Sequence, residues 1–280
     1  MLEHHDVDER HVRTPALISV IPQGTADADP RHVREVQAIT GSLMYVQRPD
    51  IVAARRQVAC IAARASAADI AHARRIMQYL QGTPNRGIRF FAAEADMLPR
   101  CYIDSGWAVP ETVCSYIIFL NGGAVAFHAK KVRAASSSTD AELQGADRAI
   151  TPLETIRNWC ADVGHPCKEP SPMYTDSKAL VDAVNNDGAH KRLAHVAKRV
   201  LRIRETQQRK ICVLKLIPRE QMLSDILVTP RGPTDYEPMR DVIAPVTDRD
   251  LTDQELEHRA YYPHVAEARA RVLQRQQNNH

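Results

Sequence analysis

Aromatic residues are scarce in this 280-residue sequence: Phe, Trp and Tyr make up 5%, too few for an extended platform on which unpaired bases could stack. Charge of one sign is lacking too, since 37 Lys and Arg against 34 Asp and Glu leave only +3. That balance is compatible with a nucleic-acid partner but does not argue for one. The six cysteines (Cys60, Cys101, Cys114, Cys160, Cys167 and Cys212) contain no Cys-x-x-Cys pair, which argues against a zinc site or a disulfide framework and for free thiols in a reducing compartment. There is no His-Glu-x-x-His, no glycine-rich phosphate loop and no serine nucleophile elbow. No apolar run approaches the ~18 residues that span a bilayer, and the opening MLEHHDVDER has none of the apolar stretch of a signal peptide. The expectation is an intracellular chain, cytoplasmic or nuclear.

What is present is a change of periodicity along the chain. Residues 1–33 are polar and read as a flexible lead-in. Between 34 and 82 apolar residues recur at helical spacing, as in Val36, Ile39 and Leu43. The run breaks at Arg48-Pro49, where Asp50 is a candidate N-cap for a second helix through about Arg64. A third helix runs from about Ala67 to Leu80. Strand character then takes over: GIRFF (87–91), CYID (101–104), TVCSYIIFL (112–120) and AVAFHAKKV (124–132), with Asn121-Gly122-Gly123 as a hairpin turn. A helix over 139–150, disturbed by Pro152, precedes a strand over 171–176 and a helix over 177–185. A basic amphipathic helix covers 192–208, within a stretch from Lys191 to Lys210 that holds eight Lys or Arg and one acid, Glu205. ICVLKLI (211–217) is a last strand and MLSDIL (222–227) a last short helix. Three antiparallel strands, a helix, a strand, helices and a strand make a mixed α/β sheet. Residues 231–280 read as a polar tail with a possible helix over 249–275.

Four acids fall where a sheet-based nuclease could use them. Asp104 lies at the end of the first meander strand, Glu142 near the start of the next helix, Asp176 at the end of the fourth strand and Asp225 at the last helix. Such a cluster suits two magnesium ions about 3.5–4 Å apart, because hard cations take oxygen ligands. Each acid also has a purely structural reading: Asp104 as a turn residue, Asp176 as a helix cap, Asp225 as a solvated helix start, Glu142 as one surface acid among many. Asp140 competes with Glu142, but two residues apart on a helix they point about 200° apart and cannot both face the sheet.

At this point the sequence resembles a known family. ITGSLMYVQRPDIVAARRQVA (39–59) is similar to the segment after the polymerase palm in copia-type reverse transcriptases, and ARRIMQYLQGTPNRGIRF (73–90) to the helix and Leu-x-Gly-Thr turn that follow. CYIDSGWA (101–108) resembles the family's Tyr-x-Asp-x-Asp-Trp-Ala, SYIIFLNGGAVAFHAKK (115–131) its Gly-Gly hairpin, and SSTDAEL (137–143) its Ser-Thr-Thr-Glu-Ala-Glu-Tyr. YTDSKAL (174–180), HVAKRVLRIRE (195–205) and SDILVTP (224–230) resemble its later motifs.

The resemblance implies the C-terminal part of a copia-type retrotransposon Pol polyprotein. The implied fold is α/β: a ribonuclease H-like five-stranded mixed sheet flanked by helices over 98–230, preceded by a small helical reverse-transcriptase connection segment over 34–97. It implies that Asp104, Glu142, Asp176 and Asp225 are catalytic and bind two Mg2+ ions, with Mn2+ as a substitute. It implies an RNA–DNA hybrid as substrate, the missing reverse-transcriptase portion as a partner, and Ser177, His195, Lys198, Arg199 and Arg202 as hybrid-binding residues. No two aspartates are adjacent anywhere, so the paired-aspartate polymerase centre is absent from this sequence. Departures from the family pattern include Gly106 in place of the second acid, Asp140 and Leu143 in place of Glu and Tyr, and Ala197 in place of Asp. The alternative is a catalytically inactive or degenerate transposon-derived nucleic-acid-binding module.

Overall fold

The computed structural model describes residues 12–18, 21–94, 96–107, 111–132, 135–186 and 196–278. In chain order the elements are α1 (Pro30–Leu43), α2 (Val52–Ile61), α3 (Ala67–Gln81), β1 (Arg100–Trp107), β2 (Thr112–Leu120), β3 (Gly123–Val132), α4 (Ser138–Asp162), β4 (Ser171–Thr175), α5 (Lys178–Asn185), α6 (Ala197–Gln208), β5 (Cys212–Leu216), α7 (Asp225–Val228), α8 (Pro233–Ile243), α9 (Asp253–Ala260) and α10 (Pro263–Asn278). They divide into two compact units, Met1–Ile88 with Thr229–Asp250, and Arg89–Val228 with Leu251–His280. Among the described residues no helix is long and apolar enough to cross a membrane.

The first unit is helical. Asp29 caps α1 and Ser66 closes a capping box with Asp69 at the start of α3, which satisfies N–H groups that a helix start otherwise leaves open. Val36, Ile39, Leu43, Ile76 and Met77 are buried. Asp50 does not cap the second helix as its position suggests. It sits in a short 3-10 turn, Pro49–Ile51, and its carboxylate accepts from Arg48 Nε and Nη2 (2.8 and 2.6 Å) and from the Tyr79 hydroxyl (2.6 Å). A buried charge with three such bonds is better served than one capping a helix at the surface. Tyr236 of α8 donates to the Asp50 carbonyl at 2.9 Å, so residues within the expected tail contribute to this core.

The second unit is a five-stranded sheet in the order β3-β2-β1-β4-β5. β1, β2 and β3 pair antiparallel through the Asn121-Gly122 turn, where both residues have positive φ, as a two-residue hairpin requires. β4 runs parallel to β1 and β5 parallel to β4. This is the ribonuclease H-like mixed sheet the resemblance implies. α4, α5 and α6 cover one face, where Cys101, Ile103, Leu143, Ile150, Met173, Val200 and Leu214 share a core.

Three sequence expectations need correction here. GIRFF does not pair as a strand; residues 87–91 run without regular structure, and Phe91 instead lies under the Arg259 guanidinium, 3.9 Å from its ring centre. Pro152 does not end its helix, since α4 runs 25 residues through it. An interior proline costs roughly 3 kcal/mol, but Leu143, Ala146 and Ile150 before it and Leu153, Ile156 and Cys160 after it all bury on the sheet, at about 1.5–3 kcal/mol for each large side chain. Residues 251–278 are two helices joined to the sheet unit: Val265 and Ala268 are buried, and the Arg259 guanidinium, 1% exposed, meets Glu94 at 3.0 Å.

Candidate active site

The strand register brings the first two acids side by side. Tyr102 on β1 is level with Tyr174 on β4. Asp104 and Asp176 each lie two residues further along parallel neighbours, and side chains two apart share a face. α4 comes close enough to add Glu142 because residue 145 is glycine: a Cβ there would lie 2.8 Å from the Ser105 hydroxyl. That hydroxyl donates to the Ala141 carbonyl at 2.9 Å and the Cys114 thiol points to the same oxygen at 3.4 Å, fixing the turn of helix from which Glu142 projects. Carboxylate oxygens of Asp104, Glu142 and Asp176 lie within 4.8 Å of one another.

Asp225 stands next to this group. The Ser115 hydroxyl, opposite Asp104 on β2, is shared between the Asp104 carbonyl (3.2 Å) and the Ser224 carbonyl (3.1 Å), which ties the start of α7 to the centre of the sheet. Burial, followed by the charges of Asp225 and Asp176, pushes the Asp104 carboxyl up to about 7, against smaller opposing effects of the Ser105 N–H and Arg219. Burial, then Asp104 and Asp176, pushes Glu142 up to about 9. One Glu142 oxygen, Oε2, is buried with no hydrogen-bond partner. Three clustered carboxylates that repel one another, one of them with an orphaned oxygen, form a donor set of the kind hard divalent cations take.

The other sequence candidates divide. Arg199 pairs with Asp140 at 3.1 Å, and Arg202 with Asp147 at 2.8 Å and the Thr151 hydroxyl at 2.9 Å, so both tie α6 to α4. Asp140 is itself buried and also takes the Ser136 N–H and the Gln144 amide; it faces α6 while Glu142 faces the carboxylates. Ser177 caps α5, accepting from the Leu180 N–H at 3.2 Å. Lys198 is exposed. His195 lies outside the described residues. Sequence reasoning missed Ser115, Gly145 and Arg219, none of which stands in a pattern that marks it.

Gly106, where the family pattern has an acid, is explained by α7. A Cβ at 106 would lie 2.6 Å from Val228 Cγ1, so the branched side chain fills the room a longer residue would need.

No family model matches the sequence. It is 26% identical over 221 residues to the retrovirus-related Pol polyprotein from transposon RE1 of Arabidopsis thaliana, covering 76% of this chain and 15% of that protein. Against the polyprotein from transposon RE2 of the same plant it is 26% identical over 229 residues, 78% of this chain and 16% of the relative. The chain is thus similar to copia-type retrotransposon Pol polyproteins over about three quarters of its length. It spans about one sixth of the length of these two polyproteins. It is also 33% identical over 112 residues to secreted RxLR effector protein 161 of Plasmopara viticola, 38% of this chain and 78% of that protein. Among solved structures, ribonuclease H1 LC11 in complex with an RNA/DNA hybrid aligns at 17% identity and a TM-score of 0.38 over 46% of this chain and 93% of its own. Ribonuclease H1 from Halobacterium salinarum aligns at 19% and 0.33 over 46% and 92%.

Proposed function

We propose that the sheet unit is a ribonuclease H that hydrolyses the RNA strand of RNA–DNA hybrids at Asp104, Glu142, Asp176 and Asp225, and that this chain does not polymerise DNA. The observation that carries the reading is the approach of three carboxylates to within 4.8 Å at the end of two parallel strands. The orphaned Glu142 oxygen and the raised Asp104 and Glu142 carboxyls are what such a site looks like before cations neutralise it. Asp104, Glu142 and Asp176 would hold a pair of Mg2+ ions, or Mn2+ in their place, with Asp225 beside them. Such ions, when bound, lower the pKa of a water and stabilise a leaving oxygen. Water oxygen bonds to phosphorus as the bond to the 3′ oxygen of the preceding ribose breaks, leaving a 5′-phosphate and a 3′-hydroxyl. The protein's own work is to hold the carboxylates at fixed separations on rigid strands and a buried helix. Discrimination of the RNA strand rests on its 2′-hydroxyls. Lys198, on the exposed side of α6, is a candidate phosphate contact together with His195, Arg199, Arg202 and Ser177. The reverse-transcriptase portion that the family resemblance implies is the proposed partner.

The test is cleavage of an end-labelled hybrid with Mg2+. Asp104→Asn and Asp176→Asn should each lower the rate by several orders of magnitude while leaving the fold intact by circular dichroism. Undiminished Mg2+-dependent cleavage by Asp104→Asn refutes the assignment. Hybrid binding without any cleavage by the unaltered chain, with Mg2+ or Mn2+, replaces it with the inactive binding module.

A further inference from the structure

Opposite ends of the same strands carry opposite chemistry. Asp104 and Asp176 sit towards the C-terminal ends of β1 and β4. The segments that enter those strands, around Asp96–Leu98 and His165–Glu169, border a half-open cavity of about 400 Å3 that Arg271 and Arg275 of α10 also line. At about 3.3 Å per residue, β4 alone separates this cavity from the carboxylate cluster by roughly 15 Å.

The charges around it do not balance. Asp96 is completely buried and its carboxylate takes three guanidiniums: Arg100 at 2.7 Å, Arg271 at 3.1 Å and Arg275 at 2.8 Å. Arg271 also pairs with Glu169, and Lys168 lines the cavity. Three cations of the lining, Lys168, Arg271 and Arg275, therefore meet two carboxylates, and Arg100, outside the lining, adds a fourth positive charge against Asp96. Glu267 does not correct the excess, because it lies 3.8 Å from Arg100 and is matched by Lys215 at 2.8 Å. Arg157 spends its donors on the Glu169 and Cys167 carbonyls, at 2.8 and 3.0 Å, holding the loop so that those oxygens are already occupied. Although Arg271 Nε lies 3.1 Å from Asp96, it is off line and has no hydrogen-bond acceptor. The Arg275 side chain is 54% exposed.

We propose that this cavity binds a phosphate monoester, held by Arg271, Arg275 and Lys168. An excess of two positive charges suits a group carrying about −1.5 to −2 at neutral pH, and guanidiniums match phosphate oxygens pairwise. An internal phosphodiester carries a single charge and needs an open groove for the chain on both sides; a cavity of this size suits a chain end or a single nucleotide. The apolar wall of Met97, Leu98 and Pro166 can take the organic part. The proposal is independent of the carboxylate cluster and of its reading as a nuclease.

The experiment measures binding of a fluorescent oligoribonucleotide bearing a 5′-phosphate, and of the same oligonucleotide with a 5′-hydroxyl, to the full chain at low salt with EDTA, so that the carboxylates hold no cation. The 5′-phosphate should bind roughly tenfold tighter, as charge-assisted contacts of this kind imply. The double variant Lys168→Ala/Arg275→Ala should remove the difference. Both side chains are at the surface, and an unchanged thermal midpoint verifies that the variant folds. Competition separates the sources: displacement by uridine 5′-monophosphate at lower concentration than inorganic phosphate assigns the ester, and the reverse order assigns the free ion and overturns the monoester. Equal affinity for the two oligonucleotides, or a preference that survives in the folded double variant, also overturns the proposal.

Discussion

Removing divalent cations should make the protein lose stability as the pH rises, the opposite of the usual behaviour of carboxylates in ion pairs. In the folded chain Asp104 is pushed up to about 7 and Glu142 up to about 9, whereas unfolded both return to the ordinary range near 4. A folded-state pKa above the unfolded one means the native protein binds more protons, so the stabilisation is complete below about pH 4 and is lost as the pH climbs through about 7 and then about 9. Each unit of displacement corresponds to about 1.4 kcal/mol. Asp104 alone, which stays protonated in the folded chain up to about pH 7, accounts for a loss of about 3 kcal/mol between about pH 5 and about pH 8.5, and that is the working figure. At roughly 2–4 °C per kcal/mol for a unit of this size, the thermal midpoint in EDTA should fall by about 6–12 °C over that interval. Mg2+ should restore most of the loss at the alkaline end and little at the acid end. Glu142→Gln should have a flatter profile than the unaltered protein, be the more stable of the two at about pH 8.5 in EDTA, and gain less from Mg2+. Circular dichroism melts across the pH series, with and without Mg2+, make the measurement. A midpoint that is level or rises with pH in EDTA, or a Mg2+ effect that is equal at all pH values, refutes the reasoning.

Two further outcomes follow from contacts away from the carboxylates. Asp50→Ala leaves the buried Arg48 guanidinium without its bidentate partner and Tyr79 without its acceptor, so the helical unit should lose about 3–5 kcal/mol in urea unfolding; a loss below about 1 kcal/mol sinks the network's importance. Gly106→Ala should destabilise by about 1–3 kcal/mol through overpacking against Val228, and Val228→Ala in the same chain should recover most of it; a stable single variant would show that α7 yields freely at this point.

Much of the sheet unit was legible because its signals are local. The Asn121-Gly122 turn fixes the hairpin, strand-forming runs fix β2 and β3, and a strand that ends at Asp176 after a long helix requires a parallel return beside β1. Given that order, the convergence of Asp104 and Asp176 follows from two-residue periodicity, and helical periodicity separates Glu142, beside the carboxylates, from Asp140, which meets Arg199. What escaped was set by distant partners. Asp50 has the sequence context of a cap, and its partners Arg48 and the distant Tyr79, 29 residues away, make it the acceptor of a buried network instead. The basic stretch before β5 reads as a free positive face, yet its Arg199 and Arg202 are neutralised by acids of α4, which the charge count along one helix does not reveal.

The same argument explains why the C-terminal helices looked like a tail. Residues 251–278 are mostly polar, and a sparse apolar pattern ordinarily marks a solvated helix. Their attachment is instead built from polar groups. Arg259 is buried against Glu94 and stacked on Phe91, and His264 is buried with its Nδ1 2.9 Å from the Tyr102 hydroxyl and its ring 3.9 Å from that of Phe119. Burial, then the Arg259 and Arg100 charges, holds the His264 imidazole well below its ordinary range and therefore neutral. A neutral ring packs in an apolar layer at far lower cost than a charged one. Tyr102 lies two residues before Asp104 on the same face of β1. The helix that a hydropathy reading discards therefore braces the strand that carries the central carboxylate.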